Sequence, residues 1–249
     1  MIKIFKKTMQ SLVNLLGYEI VSLGIDSEVI EDAYEVIEKC KNYTMTSKER
    51  MYTLSKAVEY IVNAKIPGDF VECGVWRGGS AMVIAYVLLS MKETDRKIWL
   101  YDTYEGMPKP TEEDKTILDG ESAINEWKKQ KKGERNNWCF ASLPEVRENM
   151  LSTGYPAKNL IFIKGKVEKT IPKTIPSKIA LLRLDTDWYK STKHELIHLY
   201  PIIIKNGVLM VDDYGHWSGS KKAVDEYFKE RTILFNRVDR TGVIGIKTE

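Results

Sequence analysis

The strongest constraint in this sequence is a series of short, dense apolar runs with a carboxylate at or near the carboxyl end of each: "DFVEC", "KIWLYDT", "IALLRLDTD" and "GVLMVDDY". Runs with so little polar alternation suit strands covered on both faces, as in a parallel sheet flanked by helices. Expected strands fall at 70–74, 97–103, 160–165, 179–187 and 207–214. Segments of helical period separate or flank them at 27–41, 47–64, 80–90, 191–204 and 219–229, with a short helix at "LPEVRENMLS". The alternation predicts an α/β fold with a doubly wound, mostly parallel sheet. "ILFNRVDR" and "GVIGIKT", joined at Arg240-Thr241-Gly242, predict a closing antiparallel hairpin. Residues 66–249 are expected to form the sheet-bearing domain and 1–65 a helical extension and cover. From 106 to 137 apolar periodicity is lost and charges accumulate, so this stretch reads as an excursion outside the core. With no apolar face of its own, it is expected to lack a large docking surface and to be mobile until ligands order it.

Composition narrows the partners. Lysine and arginine number 38 against 35 acidic residues, a net +3 that gives no argument for nucleic acid. Cys40, Cys73 and Cys139 have no paired spacing and fit a reducing, cytoplasmic setting better than a disulfide or zinc framework. The first 25 residues are basic and apolar but interrupted by charge, so they predict no signal peptide and no transmembrane segment. They predict instead an amphipathic helix that packs on the domain or forms a homo-oligomer contact, with membrane-surface contact as the lesser alternative.

"GDFVECGVWRGGS" places Glu72, Gly74, Gly78, Gly79 and Ser80 where a first strand meets its helix. In open α/β sheets ligands bind there, because glycines let them approach the backbone amides of the helix start. The spacing is neither G-x-G-x-x-G nor a P-loop, which disfavours dinucleotides and nucleoside triphosphates. A carboxylate at Glu72 suits a cationic amino-acid tail, and Asp102 at the next strand end suits the two hydroxyls of a ribose. S-adenosylmethionine has that shape. The bland reading is a tight turn with a paired structural carboxylate.

Together "GDFVECGVWRGGSAMVIA", "YDTYEGMPKP", "LPEVRENM", "LLRLDTDWYKST", "LYPIIIKNGVLMVDDYGHWSGSKKAVDEYF" and "YTMTSKERMYTL" resemble the macrocin O-methyltransferase family, the TylF/MycF type, in motif order from about Tyr43 to Phe228. The resemblance implies a class I, S-adenosylmethionine-dependent methyltransferase that uses a divalent cation, usually Mg²⁺, to methylate a hydroxyl, in the best-known members that of a macrolide sugar. By motif, Glu72, Gly74 and Ser80 would hold the methionine part, Asp102 the ribose, and Ser142 and Gly165 would lie near the adenine. The metal would fall on Asp185, Asp212 and Asp213, hard oxygen donors at adjacent strand ends. Asp187, on the same face if the strand continues, is an alternative to Asp185. Asp185 or His216 would take the proton. The charged stretch "GESAINEWKKQKKGERNNW" fits a glycan or other glycoconjugate acceptor at least as well as a macrolide. A non-catalytic small-molecule-binding protein of the same fold is the alternative class.

"HELIH", from His194 to His198, matches the H-E-x-x-H zinc-protease signature. Pro201 follows the second histidine closely and no third histidine continues the motif, so it is read as coincidence.

Overall fold

The computed structural model describes residues 33–249. The expected N-terminal amphipathic helix, and its face for a second subunit, lie outside the described residues.

In chain order the main elements are α1 (Tyr34–Cys40), α2 (Lys48–Asn63), β1 (Asp69–Cys73), α3 (Gly79–Ser90), β2 (Ile98–Asp102), α4 (Ala123–Gln130), β3 (Lys131–Lys132), β4 (Arg135–Asn136), α5 (Leu143–Ser152), β5 (Leu160–Lys164), α6 (Val167–Thr170), β6 (Ile179–Leu184), α7 (Tyr189–Leu199), β7 (Ile203–Val211), α8 (Ser218–Phe228), β8 (Phe235–Arg237) and β9 (Val243–Ile246). Seven strands form one sheet in the order β5-β2-β1-β6-β7-β9-β8. The pairs from β5 to β7 are parallel, while β9 runs antiparallel to both β7 and β8. The chain therefore winds outward from β1 through β2 to β5 and then returns to β6. That reversal opens a crevice between the carboxyl ends of β1 and β6, the usual ligand position in such sheets.

Packing follows from the apolar runs. Val71, Leu182 and Leu209 are fully buried in one core cluster on the sheet. The helix α3 is apolar nearly all round, and it packs against α1 and α2 as well as the sheet. Helix α2 starts at Ser47, whose hydroxyl accepts from the Arg50 amide at 3.2 Å. Residues 33–249 form one compact unit that includes α1 and α2.

Several boundaries differ from the sequence expectation for physical reasons. Helix α7 stops at Leu199 rather than 204, because Pro201 cannot continue it. Strand β6 ends at Leu184, three residues early, and Asp187 adopts a left-handed φ of 67°. Asp187 therefore does not share the face of Asp185 through strand alternation. Strand β7 starts at Ile203, four residues early, through a register irregularity opposite β6. The excursion at 106–137 is not bare: it contains α4, capped by Ser122, and the β3–β4 hairpin. The expected hairpin at the C-terminal side is present, and Asp239 closes its turn by accepting from the Thr241 and Gly242 amides at 2.8 and 2.7 Å.

Candidate active site

At the end of β1 the backbone must clear its neighbour. A Cβ on Gly74, where φ is 85°, would fall 1.9 Å from the Asp185 carbonyl oxygen, so only glycine fits. Gly78, at φ 94°, starts α3 from the left-handed region. Asp102 braces the turn between them: one carboxylate oxygen accepts from the Val75 and Trp76 amides at 2.7 and 3.1 Å, and the other from the Tyr104 amide at 2.7 Å. Burial raises its pKa, while these amides oppose the rise. Gly165 donates its amide to the Asp102 carbonyl at 2.9 Å and lines the cavity beside it. Ser80 also lines the cavity, its hydroxyl 3.4 Å from that of Thr46. Ser142 instead caps α5 through the Glu145 amide and is not part of the cavity wall.

Across the crevice stands Arg183, 1 % exposed and opposite Glu72 in the β1–β6 register. One guanidinium nitrogen donates to Glu72 Oε1 at 2.6 Å and to Asp185 Oδ2 at 2.7 Å; the other donates to Asp212 Oδ1 at 2.5 Å and Thr46 Oγ1 at 2.9 Å. Arg50, from α2, takes the second oxygen of Asp212 and pairs with Asp239 at 2.9 Å. The second oxygen of Glu72 is buried and has no hydrogen-bond partner among the described residues. Burial pushes the Glu72 carboxyl up to about 8 despite Arg183.

The carboxylates do not gather as the sequence suggests. Asp185, Asp187 and Asp213 each offer an oxygen within 4.8 Å of the others. Asp212, the expected third member, is held away by the two guanidiniums. Its place is taken by Asp187, brought in by the left-handed turn after β6. Burial raises Asp185 to about 6 and Asp187 to about 7, and it raises Asp213 well above the ordinary carboxylate range with Asp187 and Asp212 adding to the effect. Carboxylates this close are relieved by protons or by a cation.

These groups share one cavity of 410 Å³, which runs from Thr46 and Glu72 to Gly165 on one side and to His216 on the other. His216 stands edge-on to Trp217 at 4.7 Å; burial lowers its pKa, and Arg240 and Arg50 lower it further, which keeps the imidazole neutral near pH 7.

The roof corrects the expectation of an undocked excursion. Trp138, the residue that follows the excursion, packs edge to face with Trp188 and Trp217 at 5.6 and 6.0 Å. Trp188 donates to the Pro108 carbonyl at 2.9 Å, and Asp114, fully buried, accepts from the Tyr189 amide at 2.8 Å. The Ile117 amide donates to the His216 carbonyl at 2.8 Å. The docking surface comes from three tryptophans distant in sequence, which periodicity within 106–137 could not reveal.

The zinc-protease reading finds no support. His194 Nε2 lies 2.9 Å from the Ile171 carbonyl, and Glu195 is buried with both oxygens 3.0 Å from the Thr186 hydroxyl. Among the described residues the acid trio is the one side-chain group arranged for a metal.

Sequence reasoning missed Arg183, Arg50 and the place of Asp187. Arg183 had a signal, since an arginine inside the apolar run "IALLRLD" must find buried carboxylates to be tolerated. Arg50 had none beyond its neighbourhood to the Ser47 cap.

A parallel sheet with an antiparallel last strand pair, and carboxylates ending β1 and β2 beside a glycine turn, define a class I methyltransferase fold. The family described as Macrocin-O-methyltransferase (TylF) matches residues 35–246. Demethyldecarbamoylnovobiocin O-methyltransferase of Streptomyces niveus is 32% identical over 208 residues, 83% of this chain and 76% of that one. A tetracenomycin enzyme of Streptomyces olivaceus, 8-demethyl-8-(2,3-dimethoxy-alpha-L-rhamnosyl)-tetracenomycin-C 4'-O-methyltransferase, is 32% identical over 203 residues, 81% of this chain and 74% of that one. The solved structure of the O-methyltransferase NovP superposes with a TM-score of 0.71 at 31% identity, covering 83% of each chain. The chain belongs to the TylF macrocin-O-methyltransferase family, and it is an S-adenosylmethionine-dependent O-methyltransferase.

Proposed function

We propose that this enzyme transfers a methyl group to a sugar hydroxyl with the help of a divalent cation. The observation that carries the reading is the continuity of one cavity from the cofactor seat to the acid trio and His216. The relative named for a rhamnosyl substrate supports a sugar as the acceptor.

The residues present fit the cofactor. The orphaned oxygen of Glu72 is a buried acceptor awaiting a donor, which the ammonium of a methionine tail would supply. Gly74 and Asp102 line the cavity at the turn, and Asp102 Oδ1, which accepts from one backbone amide, that of Tyr104, would take a ribose hydroxyl. S-adenosylmethionine would supply a methyl group on a sulfonium, already activated for attack.

The donor set also fits Mg²⁺, whose preference is for hard carboxylate oxygens. Asp185, Asp187 and Asp213 would hold it, with Asp212 reaching it if its guanidinium partners release it. The cation would lower the pKa of a nearby hydroxyl. His216, neutral and at the cavity wall, is the better proton acceptor, because Asp185 is engaged by Arg183. The tryptophan-held roof would limit water around the reacting groups.

The test is methyl transfer from labelled S-adenosylmethionine to a panel of glycosides, with chelator and with Mg²⁺ restored. Transfer that needs Mg²⁺, and that falls by about 10²-fold or more in His216→Asn, supports the reading. Full turnover in chelator would refute the cation's part, and unchanged turnover in His216→Asn would refute the base.

A further inference from the structure

Beside the cavity opens a groove of 640 Å³ that shares Thr103, Gly106, Met107, Pro108, Gly165 and Lys166 with it. Its basic residues come from three separate segments: Lys109 after the roof's first turn, Lys131 and Arg135 on the β3–β4 hairpin, and Lys164 and Lys166 at the end of β5. Against them stand Glu105, already paired with Lys164 at 2.9 Å, and Glu134. Among the described residues no carboxylate pairs with Lys109, Lys131 or Lys166. Five basic residues against two acidic ones leave the groove's lining with an excess of positive charge.

A solvated basic surface would not require convergence from three segments onto one concave wall. Cations gathered in a cleft raise the local concentration of anions and repel one another until one arrives. The floor is organised as well. The Trp127 indole donates to the Met107 carbonyl at 2.8 Å, and the Lys131 ammonium sits 5.4 Å from its ring centroid. Several donors on different walls exceed what one carboxylate can use, and match the oxygens of a phosphate or diphosphate.

We infer that the groove seats a phosphate or diphosphate carried by the acceptor, so that the sugar lies in the adjoining cavity while its phosphate is held outside it. This deepens the methyl-transfer reading and rests on it. Two sources share this chemistry: a sugar joined to a nucleoside diphosphate, and a glycan with phosphate in its backbone.

The experiment is calorimetry on the full chain, first with S-adenosylhomocysteine and then, on that complex, with inorganic pyrophosphate, uridine diphosphate and a glycerol-phosphate oligomer. Pyrophosphate is expected to bind, and Lys131→Glu with Arg135→Glu is expected to weaken it by at least about tenfold, the factor that loss of one charge-assisted hydrogen bond brings. Both positions are exposed, and circular dichroism checks that the variant folds. S-adenosylhomocysteine affinity should be unchanged. Whichever of the other two probes binds more tightly than pyrophosphate identifies the source. No pyrophosphate binding by a complex that holds S-adenosylhomocysteine overturns the inference, as does binding indifferent to the charge reversal. Weaker S-adenosylhomocysteine binding in the variant would assign the groove to the cofactor instead and also overturn it. Failure of the wild type to bind S-adenosylhomocysteine would be a failure of the methyl-transfer reading itself.

Discussion

Replacing Arg183 by methionine tests the central charge network. The guanidinium is 1 % exposed and binds Glu72, Asp185, Asp212 and Thr46, so its removal leaves carboxylates facing one another without their counter-ion. Methionine keeps much of the volume, which limits any cavity effect. Breaking a buried ion pair from one side costs about 3–5 kcal/mol, and a chain of this size loses roughly 2–4 °C per kcal/mol, so the melting temperature should fall by roughly 6–20 °C. The loss must depend on pH. Glu72 is already pushed up to about 8 by burial, and without Arg183 it rises further, so protonation neutralises much of the repulsion in acid. Thermal unfolding in chelator should show a larger loss at pH 8.5 than at pH 6, and at pH 8.5 S-adenosylhomocysteine should bind more weakly, because Glu72 is then protonated in the variant and largely charged in the wild type. A loss below about 1 kcal/mol at pH 8.5, or one of equal size at both pH values, would refute the account of Arg183 as the counter-ion of the site.

Other outcomes follow from the same geometry. The raised values of about 6 for Asp185 and about 7 for Asp187, against an ordinary 3.8, mean that the metal-free folded state holds protons more tightly than the unfolded chain. Their contribution to stability is therefore present below about pH 4 and lost as pH rises to 7, while Mg²⁺ binding needs the deprotonated forms. Mg²⁺ should raise the melting temperature more at pH 8 than at pH 5; equal shifts would contradict the trio as its site. Asp102→Asn keeps one acceptor oxygen for the braced turn, whereas Asp102→Ala removes both, so cofactor affinity by calorimetry should fall further in the alanine variant. Equal affinities would remove Asp102 from the seat. Trp188→Ala should cost about 3–5 kcal/mol and speed hydrogen exchange throughout 106–137; unchanged exchange there would show that the tryptophans do not hold the roof.

Much of this was legible from one dimension. Strands of a covered parallel sheet announce themselves as dense apolar runs, so β1, β2, β6 and β7 could be placed within a few residues and the acids at their ends recognised. What escaped were arrangements that depend on pairs distant in sequence. The local pattern put Asp187 on the face of Asp185, and it reached the cluster by a left-handed turn instead. The same pattern grouped Asp212 with Asp213, yet adjacent residues point apart, and Asp212 met Arg183 and Arg50. Residues 106–137 looked undocked because their anchors, Trp188 and Trp217, belong to later parts of the chain.

The contact between the start of α2 and the last hairpin has a consequence for biogenesis. The Ser47 hydroxyl donates to Asp239 at 2.6 Å across a separation of 192 positions, and Arg50 joins the same carboxylate. During synthesis the early partner leaves the ribosome long before the late one exists, and at roughly 5–20 residues per second the wait is on the order of ten seconds or more. Throughout that interval the segment lacks its tie to the last hairpin, while its contacts with Arg183 and Asp212 become available as those residues emerge. A nascent chain stalled before Asp239 should therefore hold this segment less firmly than the finished protein does.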